Sequence, residues 1–138
     1  MTQDLTALVH ETIPFSRALG ISSVTGGSDR VEATASWSAE HCTAEGTLHG
    51  GYLVAVADTI AATCAYLNLP EGARTATIEL KTNFLQAVTT GDIVVVAAPV
   101  HVGRTTVVVQ TDISVVAPED GTRPLVTRTL QTQAIIPA

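Results

Sequence analysis

Basic residues, aromatic residues and cysteines are all scarce in this chain, and each shortage excludes a class of function. Seven Lys and Arg face thirteen Asp and Glu, for a formal net charge of −6. So acidic a balance leaves no electrostatic footprint for nucleic acid and is repelled by anionic lipid. Aromatic residues are 4% of the chain, too few to build stacking platforms for bases. Two cysteines, Cys42 and Cys64, cannot staple a disulfide framework. Charged residues are 14% against 46% hydrophobic, which excludes disorder. Residues 1–138 read as a single domain with one core.

Targeting and membrane signals are missing as well. The opening Met-Thr-Gln-Asp-Leu places an acidic residue where a secretory leader needs a basic region and then a long apolar run. The longest apolar stretch, Gly50 to Leu69, is interrupted by Asp58 and several Thr and ends at Asn68 and Pro70. That suits a buried helix better than a membrane span. The expectation is a soluble cytoplasmic protein without nucleic-acid or membrane partners.

What is present is one helix-like segment among strand-like ones. Leu5, Leu8 and Val9 have helical spacing behind an Asp4 cap, and Pro14 closes that short helix. Phe15 to Ile21 then reads as the entry to a strand. Val31, Ala33, Ala35 and Trp37 alternate with polar residues, and Gly26-Gly27-Ser28-Asp29 before them is turn chemistry, so a hairpin is expected. Gly50 to Asn68 is Ala-rich and apolar nearly all round, which predicts a long helix inside the protein. Strands follow at Thr75–Phe84, Ile93–Val100, Thr105–Ala117 and Leu125–Ile136, with turns at His101–Arg104 and Pro118–Gly121. In the first of these, Thr75, Thr77, Glu79 and Lys81 share what reads as an ordinary exposed face. The spacings favour an antiparallel meander of about six strands wrapped around the helix, an α+β domain.

Two places carry chemistry. Glu45-Gly46-Thr47-Leu48-His49-Gly50-Gly51-Tyr52 runs straight into the long helix. Its first N–H groups lack internal partners and sit at the positive end of the helix dipole, so they suit an anion or an oxygen about to become one. The plainer reading is that the glycines only permit tight packing. Asp58 is the sole charged residue between Glu45 and Glu71. A carboxylate kept on an otherwise apolar helix marks a working group more often than a solvated stripe.

Gly46-Thr47-Leu48-His49-Gly50-Gly51 followed by Asp58 resembles the signature of the hotdog-fold acyl-CoA thioesterases. The similarity is to the phenylacetate-pathway (PaaI-like) branch of the 4-hydroxybenzoyl-CoA thioesterase superfamily. Phe15 to Ile21, Asn83-Phe84-Leu85, Gly91-Asp92 and Gly103-Arg104-Thr105 extend the likeness over nearly the whole chain. The resemblance implies hydrolysis of an acyl-CoA by a homodimer with active sites shared between subunits, which assembles further into a tetramer in some cases. Gly50 then binds the thioester carbonyl, Asp58 acts as base or nucleophile, His49 places the thioester and Thr77 holds the water. Gly51 and Thr43 fall on substrate-binding positions; Thr43 stands where the family often has Asn, and its hydroxyl still offers a hydrogen bond.

Arg104 and Arg128 offer guanidinium groups for the phosphates of coenzyme A. No metal-ligand spacing, phosphate loop or serine elbow occurs, and no cofactor beyond the coenzyme A substrate is implied. His41 and Cys42 are adjacent, which suits neither a nucleophile–base pair nor zinc. Two rival functions share the scaffold. One is a non-catalytic acyl-CoA-binding protein, which normally needs an output module. The other is an enoyl-thioester hydratase, which wants Asp and His close together at a helix start.

Overall fold

The structure is a computed structural model and describes residues 2–117 and 119–138. In chain order the elements are β1 (Gln3–Asp4), α1 (Thr6–Thr12), α2 (Phe15–Ala18), β2 (Ile21–Gly27), β3 (Arg30–Ser36), α3 (Gly50–Tyr66), β4 (Arg74–Phe84), β5 (Asp92–Val102), β6 (Thr106–Val115) and β7 (Leu125–Ile136). They form one antiparallel sheet in the order β1-β2-β3-β5-β6-β7-β4, curled around α3. This is the α+β hotdog arrangement of a sheet wrapped on a long central helix.

The apolar side of the contact explains why α3 is central. Val31, Ala33 and Ala35 of β3, Ile93, Val95 and Ala97 of β5, and Val107, Val109 and Ile113 of β6 alternate inward and are all buried. They meet Val56, Ala57, Ile60, Ala61 and Cys64 of α3. The small side chains on that helix face let the sheet close on it, which a Leu-rich face would not.

Several sequence expectations need correction. Phe15–Ala18 is a helical turn rather than a strand entry, because Pro14 already has the helical φ and the Leu19 N–H returns to the Phe15 carbonyl. The long helix ends at Tyr66 rather than Asn68, whose side chain instead binds the Cys64 and Ser28 carbonyls. β5 continues through His101 and Val102, so the turn starts at Gly103. The expected Pro118–Gly121 turn falls partly on Pro118, which lies outside the described residues. The sheet is also not a plain meander. β4 crosses to the far edge and, among the described residues, pairs only with β7, and Leu85–Gly91 carries the chain back to β5 beside β3.

Among the described residues, no helix is long and apolar enough to cross a membrane. Ile60 is fully buried at the centre of the helix–sheet contact. Ile60→Ala is expected to lower unfolding stability by about 2–5 kcal/mol with an unchanged denaturant slope, measured by urea titration.

Candidate active site

Asp58 sits in the middle of α3, half-buried where β4 and β7 face the helix. Thr77 Oγ1 donates to its Oδ1 at 2.8 Å, and Gln131 Nε2 donates to the same oxygen at 2.7 Å. The Thr77 hydroxyl accepts from Gln133 Nε2 at 2.7 Å, and the Thr75 hydroxyl donates to Gln133 Oε1 at 3.0 Å. With a lone pair of Thr77 taken by Gln133, its single proton is aimed at Asp58. Among the described residues no donor reaches Oδ2, so one carboxylate oxygen is fixed to the protein and the other is free.

Thr77 reaches the helix because β4 is bulged. The register to β7 shifts between Thr77 and Glu79, leaving Ile78 as the extra residue. Thr75 and Thr77 therefore face inward, while Glu79 turns outward and accepts from the Thr132 hydroxyl at 2.7 Å. The exposed face expected for Thr75, Thr77, Glu79 and Lys81 is thus split in two. Gln131 and Gln133 were not anticipated. They belong to a period-two polar run on β7, Thr127, Thr129, Gln131 and Gln133, which is buried while Leu130 points out. That inverted alternation is the signal in the sequence that marks them.

The second part is the start of α3. His49 is the N-cap in extended backbone, and its Nδ1 accepts the Gly51 N–H at 2.7 Å. An accepting Nδ1 leaves the ring proton on Nε2, on the exposed side of the residue. Gly51 is therefore engaged with His49 rather than open to a ligand, and a Cβ there would stand 2.9 Å from the imidazole. The Gly50 N–H has no acceptor among the described residues. The Phe84 ring lies over Gly50, 3.1 Å from where a Cβ would be.

The approach to the helix is tightly tied. Trp37 Nε1 donates to the Gly46 carbonyl at 2.9 Å, the Thr43 N–H to Thr47 at 2.8 Å and the His49 N–H to His41 at 2.9 Å. Glu45 (φ 63°) and Gly46 (φ 70°) make the left-handed turn between them. The His41 ring stacks on Tyr52, centroids 4.2 Å apart, and its Nε2 meets the Ala18 carbonyl at 2.8 Å. Tyr52 donates to the Leu19 carbonyl at 2.7 Å, and burial pushes its phenol up to about 12. A cleft of about 340 Å³ opens here between Phe15, Glu40, His41, His49 and Gly51.

The remaining candidates lie apart. Thr43 is exposed in the approach loop, away from Asp58. Arg104 occupies the β5–β6 turn beside the Thr105–Ile135 hydrogen bond, at the end of the sheet where β7 finishes and β4 begins. Gly50 lies against Phe84, at the end where β4 finishes, so one chain does not bring Arg104 to the helix start. Arg128 is held by both oxygens of Asp112 at 2.9 and 2.8 Å. Cys64 is a core thiol that burial, helped by the charge of Asp29, pushes up to about 11. Among the described residues, His, Cys, Asp and Glu do not gather in groups of three that could hold a metal ion.

Residues 45–120 match the thioesterase superfamily. The chain belongs to that superfamily. A Haemophilus influenzae protein provisionally named an esterase is 37% identical to this thioesterase-superfamily chain over 97 residues, 69% of each chain. Bacillus subtilis ComA2, also provisionally named an esterase, is 39% identical over 95 residues, 66% of this chain and 73% of its own. The crystal structure of a Haemophilus influenzae thioesterase superposes with a TM-score of 0.83 at 30% identity, covering 96% of this chain and 88% of that one.

The Asp58–Thr77–Gln133 relay has a direct test. Thr77→Val keeps the shape but leaves the buried Gln133 amide without an acceptor. It is expected to cost about 1–3 kcal/mol, with Thr77→Ser close to wild type, both measured by chemical denaturation.

Proposed function

We propose that this protein hydrolyses an acyl-CoA or a related acyl thioester, as a member of the phenylacetate-pathway-like branch, in a site shared by two copies of the chain. The observation that carries the reading is the free Oδ2 of Asp58, on a helix whose first N–H, at Gly50, is also free. Oδ2 takes a proton from water as the water oxygen attacks the thioester carbonyl carbon, or attacks that carbon itself. The Gly50 N–H and the helix dipole receive the charge that builds on the carbonyl oxygen. The carbon–sulfur bond then breaks and the thiolate leaves, taking the proton that Asp58 removed from water. In the nucleophile route solvent protonates the thiolate, and a water then hydrolyses the acyl–Asp58 anhydride, releasing the acid and the free carboxylate. His49 Nε2–H is placed to hydrogen-bond the thioester or the coenzyme A portion. With Nδ1 already accepting from Gly51, His49 is poorly suited to serve as the base of a hydratase pair.

Distance supports the reading that two copies share the site. Gly50 and Asp58 lie eight residues apart on one helix, about 12 Å along its axis, whereas reacting groups must come within about 3–3.5 Å. The molecule has a surface suited to a second copy. β4 leaves its outer edge unpaired among the described residues, with Ile78 59% exposed, and unpaired edges of this kind are templates for another strand. On α3, Gly51, Ala55, Asp58, Ala62 and Tyr66 form one stripe that the sheet does not fully cover. A twofold axis there would set Asp58 of one copy beside Gly50 of the other. It would also carry Arg104 of one copy toward the helix start of the other, where coenzyme A phosphates would lie. An apolar cleft of about 340 Å³ among Leu8, Ile13, Ala62, Tyr66 and Thr75 continues the stripe past Asp58 and suits a compact acyl group.

The test is thiol release from a panel of acyl-CoAs. Asp58→Asn is expected to fold normally and to lose about 10²–10⁴-fold in rate; near wild-type turnover would make Asp58 structural. Sharing between copies predicts complementation. Mixing inactive Asp58→Ala with inactive Gly50→Val after dissociation should recover about one quarter of wild-type activity, since random pairing gives half heterodimers with one intact site each. No recovery despite demonstrated subunit exchange would place the whole site in one chain.

A further inference from the structure

We infer that Gln131 is a positioning residue for Asp58, one that selects Oδ2 as the reacting oxygen by tying Oδ1 to the sheet. The inference rests on Asp58 being the reacting carboxylate, as proposed above.

Gln131 is fully buried, and among the described residues its side chain makes a single hydrogen bond, from Nε2 to Asp58 Oδ1 at 2.7 Å. Its other end is sealed in without a partner, for Oε1 is buried and unbonded. The residues opposite it on the neighbouring strands, Val109 and Leu80, have no polar side-chain group to offer. Stability does not account for such a residue. A buried amide with one unsatisfied end is costly, and an apolar side chain of the same length at this position would bury more favourably. Thr127 Oγ1 in the same polar run is also buried without a partner among the described residues, but the residues flanking Gln131 on its face are satisfied. Gln133 has a partner at each end, Thr77 and Thr75, and Thr129 shares a 2.7 Å hydroxyl contact with Thr82. Gln131 therefore closes no network of its own. What it does is hold one oxygen of Asp58.

The direction of that bond matters. An amide N–H donates to an ionised carboxylate, and Thr77 donates to the same atom from β4. Two donors from two strands fix the plane of the carboxyl group as well as its position. Thr77 alone would leave the group free to turn about its own axis and to exchange its oxygens. Gln131 removes that freedom, which is the condition for a base or nucleophile aimed at one point.

The experiment measures kcat and KM for thiol release from the best acyl-CoA with wild type, Asp58→Asn, Gln131→Met and Gln131→Glu, with melting temperatures alongside. Gln131→Met keeps the length and removes the donor. It is expected to lower kcat by roughly 10- to 100-fold, with KM within about twofold and a melting temperature no lower than wild type. Gln131→Glu supplies a donor only while its carboxyl keeps a proton, which burial beside Asp58 favours. Its activity is expected near wild type at low pH and to fall as the pH rises toward 8, where wild type remains active. A wild-type kcat in Gln131→Met, or a pH profile of Gln131→Glu that superposes on wild type, overturns the inference while leaving Asp58 in place. An unfolded Gln131→Met leaves the pH profile of Gln131→Glu to decide. If Asp58→Asn itself turns over at the wild-type rate, the reading of the site falls and this inference with it.

Discussion

A carboxylate held against a sheet by two donors organises the candidate site. Asp58 belongs to a helix that is otherwise apolar or small on its inward side, so its charge must be met from the strands facing it. Thr77 from β4 and Gln131 from β7 meet it, and both go to the same oxygen. That choice propagates. Thr77 faces inward only because β4 is bulged at Ile78, and the hydroxyl is oriented only because Gln133 donates to it. The cost of the arrangement is visible at the other end of the same Gln131 amide, whose Oε1 is buried without a partner among the described residues.

The helix start obeys a different constraint. Its donors are divided between the protein and the outside: His49 takes the Gly51 N–H, and the Gly50 N–H is left over. A cap that takes one donor and spares the next keeps the helix intact while leaving an electropositive point. The Phe84 ring at the end of β4 covers the side of Gly50 on which a Cβ would sit. The bulged strand thus reaches both parts of the site, with Thr77 at its middle and Phe84 at its end. Gly50 and Asp58 remain about 12 Å apart along the axis, and that separation is what motivates the proposed second copy.

Most of the architecture was legible in the sequence because it follows from patterns that burial imposes. The Ala-rich run from Gly50 read as a central helix, the alternation from Val31 as a half-buried strand, and the β-branched run from Ile93 as a strand. Asp58 stood out for the same reason, as a charge in an apolar context. What escaped was set by pairing rather than by local pattern. The place of β4 beside β7 is a tertiary choice that hairpin spacing does not express. A bulge puts the residues on its two sides out of phase. Thr77, though exposed, therefore turns toward the helix while Glu79 and Lys81 turn away, a split that the unbroken alternation of Thr75, Thr77, Glu79 and Lys81 does not express. Gln131 and Gln133 were hidden by the ordinary assumption that Leu faces in and Gln faces out. On β7 the opposite holds.

That inversion divides the sheet into two halves. β3, β5 and β6 turn mostly Val, Ile and Ala onto α3, and they carry the hydrophobic contact that holds the helix. β7 and β4 turn Thr127, Thr129, Gln131, Thr75, Thr77 and Thr82 toward it, and apolar burial there is correspondingly poor. A wrapped helix with one side held by apolar contact and the other by hydrogen bonds is under-supported on its polar side. The outer edge of β4, unpaired among the described residues, lies on that same side, next to the incompletely covered stripe from Gly51 to Tyr66. In the proposed assembly a second copy would cover that edge and that stripe together. It would bury the apolar surface that the polar half of the sheet forgoes, while leaving the free oxygen of Asp58 facing the seam. The same choice of residues that weakens one half of the core would then both build the site and direct where the partner binds.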